Sequence, residues 1–526
     1  MFYNTSDNYE YNDCVSKGAC SISPAISSMQ EIMFVLLRQM AYYLIKLKGF
    51  GIIKEEITKT LISQVALMDG LKDFTEAQVL NIFSSQYSKL IELRKEYLKI
   101  CKEHEEQCKD LKNLLKLSSK TSLSEILKKG DKEYICKYKK LSISQKSNAE
   151  ILTSVMKSVC VNIIYLYEYD NYCEYASDNV LEALNLFNSF KVDDSSIKKY
   201  IEILSKIDIE LLKLLKRAQI EHYGDIDEIT VSTSTDPNKA ILVSGSNLAD
   251  LKDVLDFVKD TDVDVYTNGN LLIAHAFSSF NNYKNLKGHF GSSVFTTMLD
   301  FATFPGAILL TKNEAQNIEY LYRGRLFTTD DITPKGVVKI VGKNYEPLLK
   351  SAIQAKGFAK GQHKNPIKVG YNKDKLSSFL DVILKDDFKN LFIIGHSNLS
   401  MNMNDYFKRF FHLMPNKSFA ISFSFDPKQE NVLTINLVND YPQIYAVLQK
   451  VFEKIPISSE KLAFFLTKCD VNSFSNIINL KNEGAKNIFL SDCPPNVINP
   501  SVLNSFIKLY NIFQITTPEE DLKKLQ

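Results

Sequence analysis

The chain has 526 residues, with 64 basic and 62 acidic side chains and a formal net charge of +2. A single hydrophobic core seldom supports this length, so we predict about three domains. A charge this close to zero gives no electrostatic attraction for nucleic acid or for an anionic membrane surface, and we expect neither as a partner.

The amino-terminal residues have no feature of an export signal. The run MFYNTSDNYEYND is polar and acidic, without the basic segment and apolar stretch of a secretory signal. The longest apolar candidate, 32–47, is interrupted by Arg38 and Gln39 and is shorter than a membrane crossing requires. We therefore expect a cytoplasmic protein. Its nine cysteines include no C-x-x-C pair, and in a reducing compartment most of them should be small buried hydrophobic side chains.

Apolar residues recur at helical spacing from about residue 28 to residue 223, with few glycines or prolines. The predicted helices cover 31–48, 75–98, 149–169, 178–190 and 195–217. Thr75 and Gln78 have the spacing of a capping box, which marks the start of the second helix. The Lys- and Ser-rich segment 115–148 is predicted to connect two helical bundles. Residues 1–222 should therefore form a helical domain.

After residue 223 the pattern changes to short β-branched runs separated by helical stretches, which is typical of parallel sheets with crossover helices. The predicted strands are 240–245, 263–267, 307–311, 325–329, 337–341, 391–395, 418–424, 432–437, 486–490 and 511–516. A basic, glycine-containing stretch at 355–366 divides them. We predict a multidomain fold in which the helical-bundle domain is followed by two Rossmann-like α/β domains with parallel sheets, 223–358 and 359–526.

Polar residues follow most of the predicted strands. Ligands of open parallel sheets bind beyond the carboxyl ends of the strands, so these positions are where a site is expected. They are 244–247, 268–270, 312–314, 395–397, 425–426, 438–440 and 492–495.

Several of these strand ends resemble the motifs of one family. The run VDVYTNGNLLIAHAF at 263–277 is similar to VDVYTHGEMLPAHAY of the hybrid cluster proteins, also called the prismane or hydroxylamine reductase family. ILVSGSNL at 241–248 and GAILLTKNE at 306–314 resemble the family's ILISGHDL and GPILLTTNC, and RLFTT at 325–329 matches the family's sequence. The resemblance extends along the whole chain and implies the family's helical and α/β fold.

The resemblance also implies the positions of the seven ligands of the hybrid iron–sulfur cluster. At these positions a histidine, two carboxylates and four cysteines are replaced or altered, and the residues found here are Ser246, Asn270, Glu314, His396, Phe425, Val438 and Asp470. The family's lysine beside the last ligand falls on Asn472, whereas Asn439 and Asp440 keep the family's residues. His275 matches a family residue near the cluster cavity, although by itself a histidine in an apolar segment is more often a satisfied core side chain.

The family's second cluster is bound near the amino terminus by a C-x-x-C pair followed by two more cysteines. Tyr3 and Ser6 stand at the pair, and only Cys14 and Cys20 remain. Because a cubane cluster takes four thiolates, we expect no stable cubane cluster from one chain. The two remaining cysteines can be relics, can bind a metal shared between two chains, or can form a disulfide on oxidation.

Glu314, His396 and Asp470 are the metal-competent residues of the set. If the fold is kept they converge and can bind a mononuclear or dinuclear iron, manganese or zinc centre, with Ser246 or Asn270 adding an oxygen. In the competing interpretation they are polar fillings of a vacated cavity, which Phe425 and Val438 line without any metal donor.

A second group with metal-ligand residue types lies at Cys101, His104 and Cys108, which share one helix face. No fourth ligand is apparent, so a half-buried stripe without metal is the favoured interpretation of these three residues.

Two functions are compatible with these residues. The first is a divergent family member without the usual iron–sulfur clusters, which acts as a non-catalytic binding or assembly protein or a pseudoenzyme and pairs with a protein partner or a second copy. The alternative is an oxidoreductase of the hydroxylamine or nitric oxide reductase type with an altered metal centre. The sequence leaves enzymatic activity open and identifies no small-molecule substrate.

Overall fold

The computed structural model describes residues 24–68, 75–105, 107–117, 121–139, 142–189, 193–291, 297–312, 324–330, 333, 336–395, 401–423, 426–493 and 500–525. Helices occupy the described part up to residue 223, and two sheets with parallel strands follow. The predicted fold class, a helical region followed by α/β structure with two parallel six-stranded sheets, is confirmed.

The amino-terminal helices pack through their apolar faces. They are α1 (Pro24–Gly49), α2 (Glu55–Leu67), α3 (Glu76–Glu103), α4 (Leu123–Lys139), α5 (Ile143–Tyr167), α6 (Glu174–Leu186) and α7 (Asp194–Tyr223). Helix α1 contacts α3, α4 and α6, which buries its apolar residues on all of these sides. The predicted capping box is confirmed, because Gln78 N donates to Thr75 Oγ1 at 3.3 Å and Thr75 N donates to Gln78 Oε1 at 2.9 Å.

The prediction that 115–148 is a connection was wrong, since this segment contains α4 and the start of α5. Both helices begin with a capping motif. Ser122 Oγ accepts a hydrogen bond from Glu125 N at 3.3 Å, and Ser142 Oγ accepts one from Gln145 N at 3.2 Å. The serines that suggested a loop are thus helix caps, which is where this residue type is most favourable.

Helix α5 packs against four other helices, namely α2, α6 and two later helices. Among the described residues, its segment Ser144–Tyr167 is the one with the length and apolar composition of a membrane span. In the apolar 18-residue stretch of this segment, 67% is buried inside the fold. Burial of this kind is expected of a core helix.

The first sheet has six parallel strands in the order β4-β3-β2-β5-β6-β7. Its strands are β2 (Ala240–Ser244), β3 (Asp264–Asn268), β4 (Leu286–His289), β5 (Ala307–Leu310), β6 (Leu326–Thr328) and β7 (Val338–Lys339), and its helices are α8 (Leu248–Val258), α9 (Thr297–Thr303) and α10 (Glu346–Gln354). The strand order reverses between β2 and β5, and in open parallel sheets ligands bind beyond the strand ends at such a point.

The second sheet has the order β11-β10-β9-β12-β13-β14. Its elements are β9 (Asn390–Ile394), β10 (Ser418–Ser422), β11 (Val432–Thr434), β12 (Leu462–Leu466), β13 (Asn487–Leu490) and β14 (Phe513–Gln514), with α11 (Lys373–Lys385), α12 (Met401–Leu413), α13 (Tyr441–Lys454), α14 (Val471–Asn482), α15 (Pro500–Tyr510) and α16 (Pro518–Lys523). The order reverses between β9 and β12, which pair in parallel. A separate antiparallel pair joins β1 (Ile229–Val231) to β8 (Ile367–Val369).

The chain divides into two compact units. The helical unit comprises the chain up to Leu215 with Lys468–Gly484 and Leu490–Gln514, and the sheet unit comprises Lys216–Thr467, Ala485–Phe489 and Ile515–Gln526. The domain limits proposed at 222 and 358 stay predictions.

Candidate functional site

Ser246 lies two residues beyond β2, at the point where the strand order of the first sheet reverses. Thr311, the first residue after β5, accepts hydrogen bonds at its Oγ1 from Ser246 N at 3.2 Å and from Asn247 N at 3.4 Å. Asn247 in turn caps α8, because its Oδ1 accepts from Asp250 N at 3.0 Å. Ser246, a predicted former ligand position, therefore lies where the strand order reverses.

The end of β3 carries a buried pair of histidines on one threonine. Thr267 Oγ1 lies 3.0 Å from His275 Nε2 and 3.0 Å from His289 Nδ1, and all three side chains are buried. The Thr267 hydroxyl has one hydrogen and two lone pairs, and its Oγ1 also lies 3.4 Å from Gly288 O, so it can donate to that carbonyl or to one of the rings and accept from the remaining ring nitrogens. Burial lowers the pKa of His275 to about 4. Burial, and then the neighbouring His275, lower that of His289 to about 3. Both rings are therefore neutral at pH 7.

Beside the histidines, Asn268 is held by three bonds. Its Oδ1 accepts from Ser244 Oγ at 2.7 Å, while its Nδ2 donates to Phe290 O at 2.6 Å and to Asp300 Oδ2 at 3.3 Å. The carboxyl end of β3 is thus filled with polar groups that satisfy each other, as buried polar groups generally are.

Two predicted cavity positions meet within the sheet unit. Asn270 Oδ1 accepts a hydrogen bond from Asn439 Nδ2 at 3.2 Å, and Asn439 directly follows Val438. The residue after Asn270 is joined to the residue before Ser246, because Leu271 N donates to Gly245 O at 2.9 Å. Ser246, Asn270 and Val438 therefore converge, although they are far apart in the sequence.

Val438 has an unusual backbone conformation for its residue type. Its side chain is 4% exposed and its φ is +54°, a left-handed value that β-branched residues rarely adopt. The loop is fixed by Asn436, whose Oδ1 accepts from Val438 N at 3.1 Å and whose O accepts from Gly370 N at 2.7 Å. The surrounding bonds impose this conformation on an apolar side chain.

Asp440 begins a chain of buried amides that the sequence did not reveal. Its carboxylate accepts from Gln443 N at 3.0 Å and from Gln219 Nε2 at 2.8 Å, and Gln219 Oε1 accepts from Gln443 Nε2 at 2.9 Å. The oxygen of the Gln443 side-chain amide, Oε1, is buried without a partner among the described residues. Burial raises the pKa of Asp440 to about 6.

The substitution Asp440→Asn tests this chain. The carboxyl contributes its full stabilisation below its unfolded pKa, near 4, and loses it as the pH rises through 6, so ionisation at pH 7.5 costs the folded protein about 3 kcal/mol. The variant removes that penalty. Its amide can donate to Gln219 if both glutamines turn over, and Gln219 then donates to Gln443 Oε1. We expect the variant to gain 1–3 kcal/mol (order of magnitude) at pH 7.5 and little at pH 4 in urea unfolding.

The matched control is Asp440→Ala, which deprives both donors of their acceptor and should destabilise at both pH values. Far-UV circular dichroism is the suitable signal, since the chain has no tryptophan. If Asp440→Asn were as destabilising as Asp440→Ala at pH 7.5, the side-chain amides of Gln219 and Gln443 would not be able to turn over and reverse the direction of their hydrogen bonds.

The three metal-competent residues are only partly described. Glu314 and His396 lie outside the described residues, as do Phe425, Cys14 and Cys20. The carboxylate of Asp470 caps α14, where its Oδ1 accepts from Ser473 N at 3.1 Å, and its Oδ2 pairs with Lys468 Nζ at 3.3 Å. Within the part of the chain that the structure describes, no group of three His, Cys, Asp or Glu side chains is arranged to hold a metal ion. The metal site stays a prediction.

The residues at the predicted ligand positions that the structure describes in the sheet unit do not fit an iron–sulfur cluster. Val438 has no donor atom, and Asn270 Oδ1 already accepts a hydrogen bond from Asn439. Ser246 offers a hydroxyl, which is a hard donor, whereas iron in these clusters is held by thiolates.

Four cysteines are paired rather than free. Cys101 is bonded to Cys108, and Cys469 to Cys493. The expectation that most cysteines are isolated hydrophobic side chains holds for Cys160, which is buried and unpaired. The prediction that Cys101, His104 and Cys108 share one helix face was wrong, because α3 ends at Glu103. The sulfur atoms of Cys101 and Cys108 bond each other, which is not the arrangement of a zinc site.

Comparison with known proteins gives one consistent family. A family model described as Prismane/CO dehydrogenase family matches residues 10–422. Relatives named hydroxylamine reductase include that of Zymomonas mobilis, 22% identical over 97% of this chain and 96% of the relative, and that of Thermosipho melanesiensis, 23% identical over 99% of both. The match to the Methanocella arvoryzae hydroxylamine reductase, 26% identical, spans 61% of this chain and 62% of that protein.

A solved structure is also similar to this chain. It contains closed and open α subunits of acetyl-CoA synthase/carbon monoxide dehydrogenase with NiZn[Fe4S4] and NiNi[Fe4S4] clusters. The match has a TM-score of 0.48 and 10% identity, and it covers 100% of this chain and 84% of the other.

Proposed function

Because this chain belongs to the Prismane/CO dehydrogenase family but has no soft ligand at the described cluster positions, we propose that it is a divergent member without the family's usual iron–sulfur clusters. In this proposal it works by binding or assembly with a protein partner or a second copy, and it does not reduce hydroxylamine. The observation that carries the proposal is the hydrogen bond between Asn270 and Asn439. In this bond the side-chain oxygen at a former ligand position accepts a hydrogen bond and stabilises the fold, where a ligand would bind metal.

The chemistry of the replaced positions supports the same conclusion. A position that has lost its ligand but kept a cavity would expose polar atoms or admit water. At Val438 an apolar side chain is buried instead, and at Asn270 a neighbouring side chain supplies the hydrogen bond. Filling of this kind stabilises the protein without a cluster, because at these two positions no buried polar atom is left that would need iron as its partner.

Metal and sulfide analysis tests the proposal directly. The full-length protein is produced and purified anaerobically with iron and cysteine in excess, and iron, zinc, manganese and acid-labile sulfide are measured per chain. We expect less than about 0.2 iron and sulfide per chain and no visible absorption that bleaches with dithionite. Several iron atoms with matching sulfide would overturn the proposal.

The same measurement separates the alternative, an oxidoreductase with a rebuilt metal centre at Glu314, His396 and Asp470. That centre would give one or two metal ions per chain without sulfide. Family membership favours this alternative, whereas the capping role of Asp470 gives its carboxylate a structural use. If metal is found, His396→Ala should remove it, and a metal content unchanged by this substitution would contradict the rebuilt centre.

A further inference from the structure

A buried carboxylate lies in the core of the helical unit without a positive charge beside it. Asp208 of α7 is 2% exposed, and among the described residues no lysine, arginine or histidine pairs with it. Its Oδ1 accepts a hydrogen bond from Asn162 Nδ2 of α5 at 2.8 Å. Burial raises the pKa of this carboxyl, because a buried charge without a counter-charge is costly. Such a group either keeps a proton or binds a cation.

Two further oxygen atoms lie close to this carboxylate. Ser158 Oγ of α5 is 2.8 Å from Asp208 Oδ2 and 2.7 Å from Asn472 Oδ1 of α14. The hydroxyl has one hydrogen, whereas an ionised carboxylate and an amide oxygen have none. One hydrogen therefore serves two short contacts between oxygen atoms. A positive charge bound among the three oxygen atoms would stabilise this arrangement.

A fourth oxygen atom lies at the same place and has no partner. Ser475 shares one face of α14 with Asn472 and Asn479, because the three residues are spaced by three and four positions. This face packs against α7, since Asn479 Nδ2 donates to Ser205 O at 2.6 Å. Ser475 Oγ lies beside Asp208 and is fully buried, but it makes no hydrogen bond of normal geometry with any described residue. A buried hydroxyl of this kind indicates a bound ion or water.

We propose that Asp208, Ser158, Asn472 and Ser475 form a binding site for a monovalent alkali cation, sodium or potassium. All four donors are oxygen atoms, which suit hard cations. One carboxylate balances a single positive charge, whereas a buried divalent ion would keep an uncompensated charge. The site lies wholly within the helical unit and joins α5, α7 and α14. None of its residues is one of the seven predicted cluster-ligand positions.

Asp194, on the same helix as Asp208, offers a matched control. It also accepts a hydrogen bond from an asparagine of α5, because Asn148 Nδ2 donates to its Oδ1 at 2.7 Å. However, Asp194 already has a cation of the protein, since Lys198 Nζ lies 2.9 Å from its Oδ2. The two carboxylates thus share their asparagine partner and differ in the presence of a neighbouring ammonium group.

The test compares the full-length protein in sodium, potassium, calcium and choline chloride at equal ionic strength, about 100 mM, and about pH 8. Circular dichroism at a fixed heating rate gives the apparent melting temperature. We expect the wild type to melt at least about 3 °C higher in sodium or potassium than in choline, because a ligand of the folded state stabilises it. This difference should disappear in Asp208→Asn and remain in Asp194→Asn.

Two results would overturn the proposal. Equal melting temperatures of the wild type in all salts would mean that the Asn472 amide turns over and donates to Ser158, so that no cation is needed. An increase with calcium alone would contradict a monovalent cation.

Ser475→Ala distinguishes a cation ligand from a structural residue. In choline chloride the variant should melt within about 1 °C of the wild type or higher, because the hydroxyl that it removes has no partner there. In the stabilising alkali salt it should lose at least about half of the increase. An increase as large as that of the wild type would contradict the assignment of this site.

Amide hydrogen exchange locates the effect in the chain. The alkali cation should slow exchange in α5, α7 and α14 at least about fivefold relative to choline, and it should leave α3 unchanged. Equal slowing in all four helices would indicate a general salt effect and would overturn the proposal. These results are independent of the iron content on which the proposed function depends.

Discussion

Acidification from pH 7 to pH 4.5 should destabilise the wild-type protein by about 5 kcal/mol more than a variant with His275→Gln and His289→Gln. Both histidines have pKa values far below the ordinary value, about 4 and about 3, because they are buried around Thr267. Below pH 6.5 the unfolded chain binds a proton at each ring and the folded chain does not. The stabilisation is therefore present above pH 6.5 and is lost as the pH falls.

The magnitude follows from proton linkage. Each ring contributes about 1.4 kcal/mol per pH unit between its unfolded and folded pKa values, and two rings over two units give the figure above. Asp440 contributes with the opposite sign between about pH 4 and 6, since its folded pKa is raised. That contribution is the same in both proteins and cancels in the comparison.

The measurement is the free energy of unfolding in urea at a series of pH values, followed by circular dichroism. His363→Gln is the control, because this histidine is exposed and the substitution removes an imidazole without touching the buried site around Thr267. Parallel curves for the wild type and the double variant would show that His275 and His289 take up protons over the same pH range in the folded protein as in the unfolded chain.

Much of the sheet architecture was predictable from local patterns. Each predicted strand has a counterpart, because a β-branched run between polar turns favours an extended backbone. Four strands were missed. Three of them, β1, β4 and β8, are three or four residues long, which is too short to show the alternation of apolar and polar side chains that marks a strand. The fourth, β12, reads LAFFL and is wholly buried, and a short apolar run does not distinguish a buried strand from a buried helix.

The site was predictable in position but not in its contacts. Strand ends and motif resemblance located Ser246, Asn270 and Val438, because ligands of parallel sheets bind at these ends. The hydrogen bond from Asn439 to Asn270 joins residues 169 positions apart, so no local pattern reveals it. His289 follows the same logic, since it meets His275 only through Thr267. Because β4 was among the missed strands, no sequence signal placed His289 at a strand end.

The cysteine pairs illustrate the same limit. Spacing predicted that Cys101 and Cys108 share a helix face, but the helix ends at Glu103 and the chain turns back so that the two sulfur atoms bond. For Cys469 and Cys493 no spacing rule applies. Their proximity depends on β12 and β13 being neighbours in the sheet, and β12 was among the strands that the sequence did not reveal.

Replacing Gly370 by Ala should lower the free energy of unfolding of the sheet unit by at least about 3 kcal/mol. Gly370 has a φ of +90°, and a Cβ atom there would overlap the carbonyl oxygen of Asp227. The backbone cannot simply shift, because Gly370 N donates to Asn436 O at 2.7 Å and Asn436 Nδ2 donates to Lys368 O at 2.8 Å. These bonds join the end of β8 to the loop that carries Val438.

The control separates overlap from conformation. Gly342 also has a positive φ, +59°, but a Cβ atom there would have no neighbour within 4 Å. Gly342→Ala should therefore lose only the cost of the left-handed conformation, about 1 kcal/mol, and the difference between the variants measures the overlap at Gly370. Amide hydrogen exchange gives a second readout, since displacement of Asn436 should increase exchange at 437–440 in Gly370→Ala alone. Equal losses in the two variants would mean that the end of β8 and the Val438 loop yield together, and that the backbone at the former ligand position is not held as rigidly as its hydrogen bonds indicate.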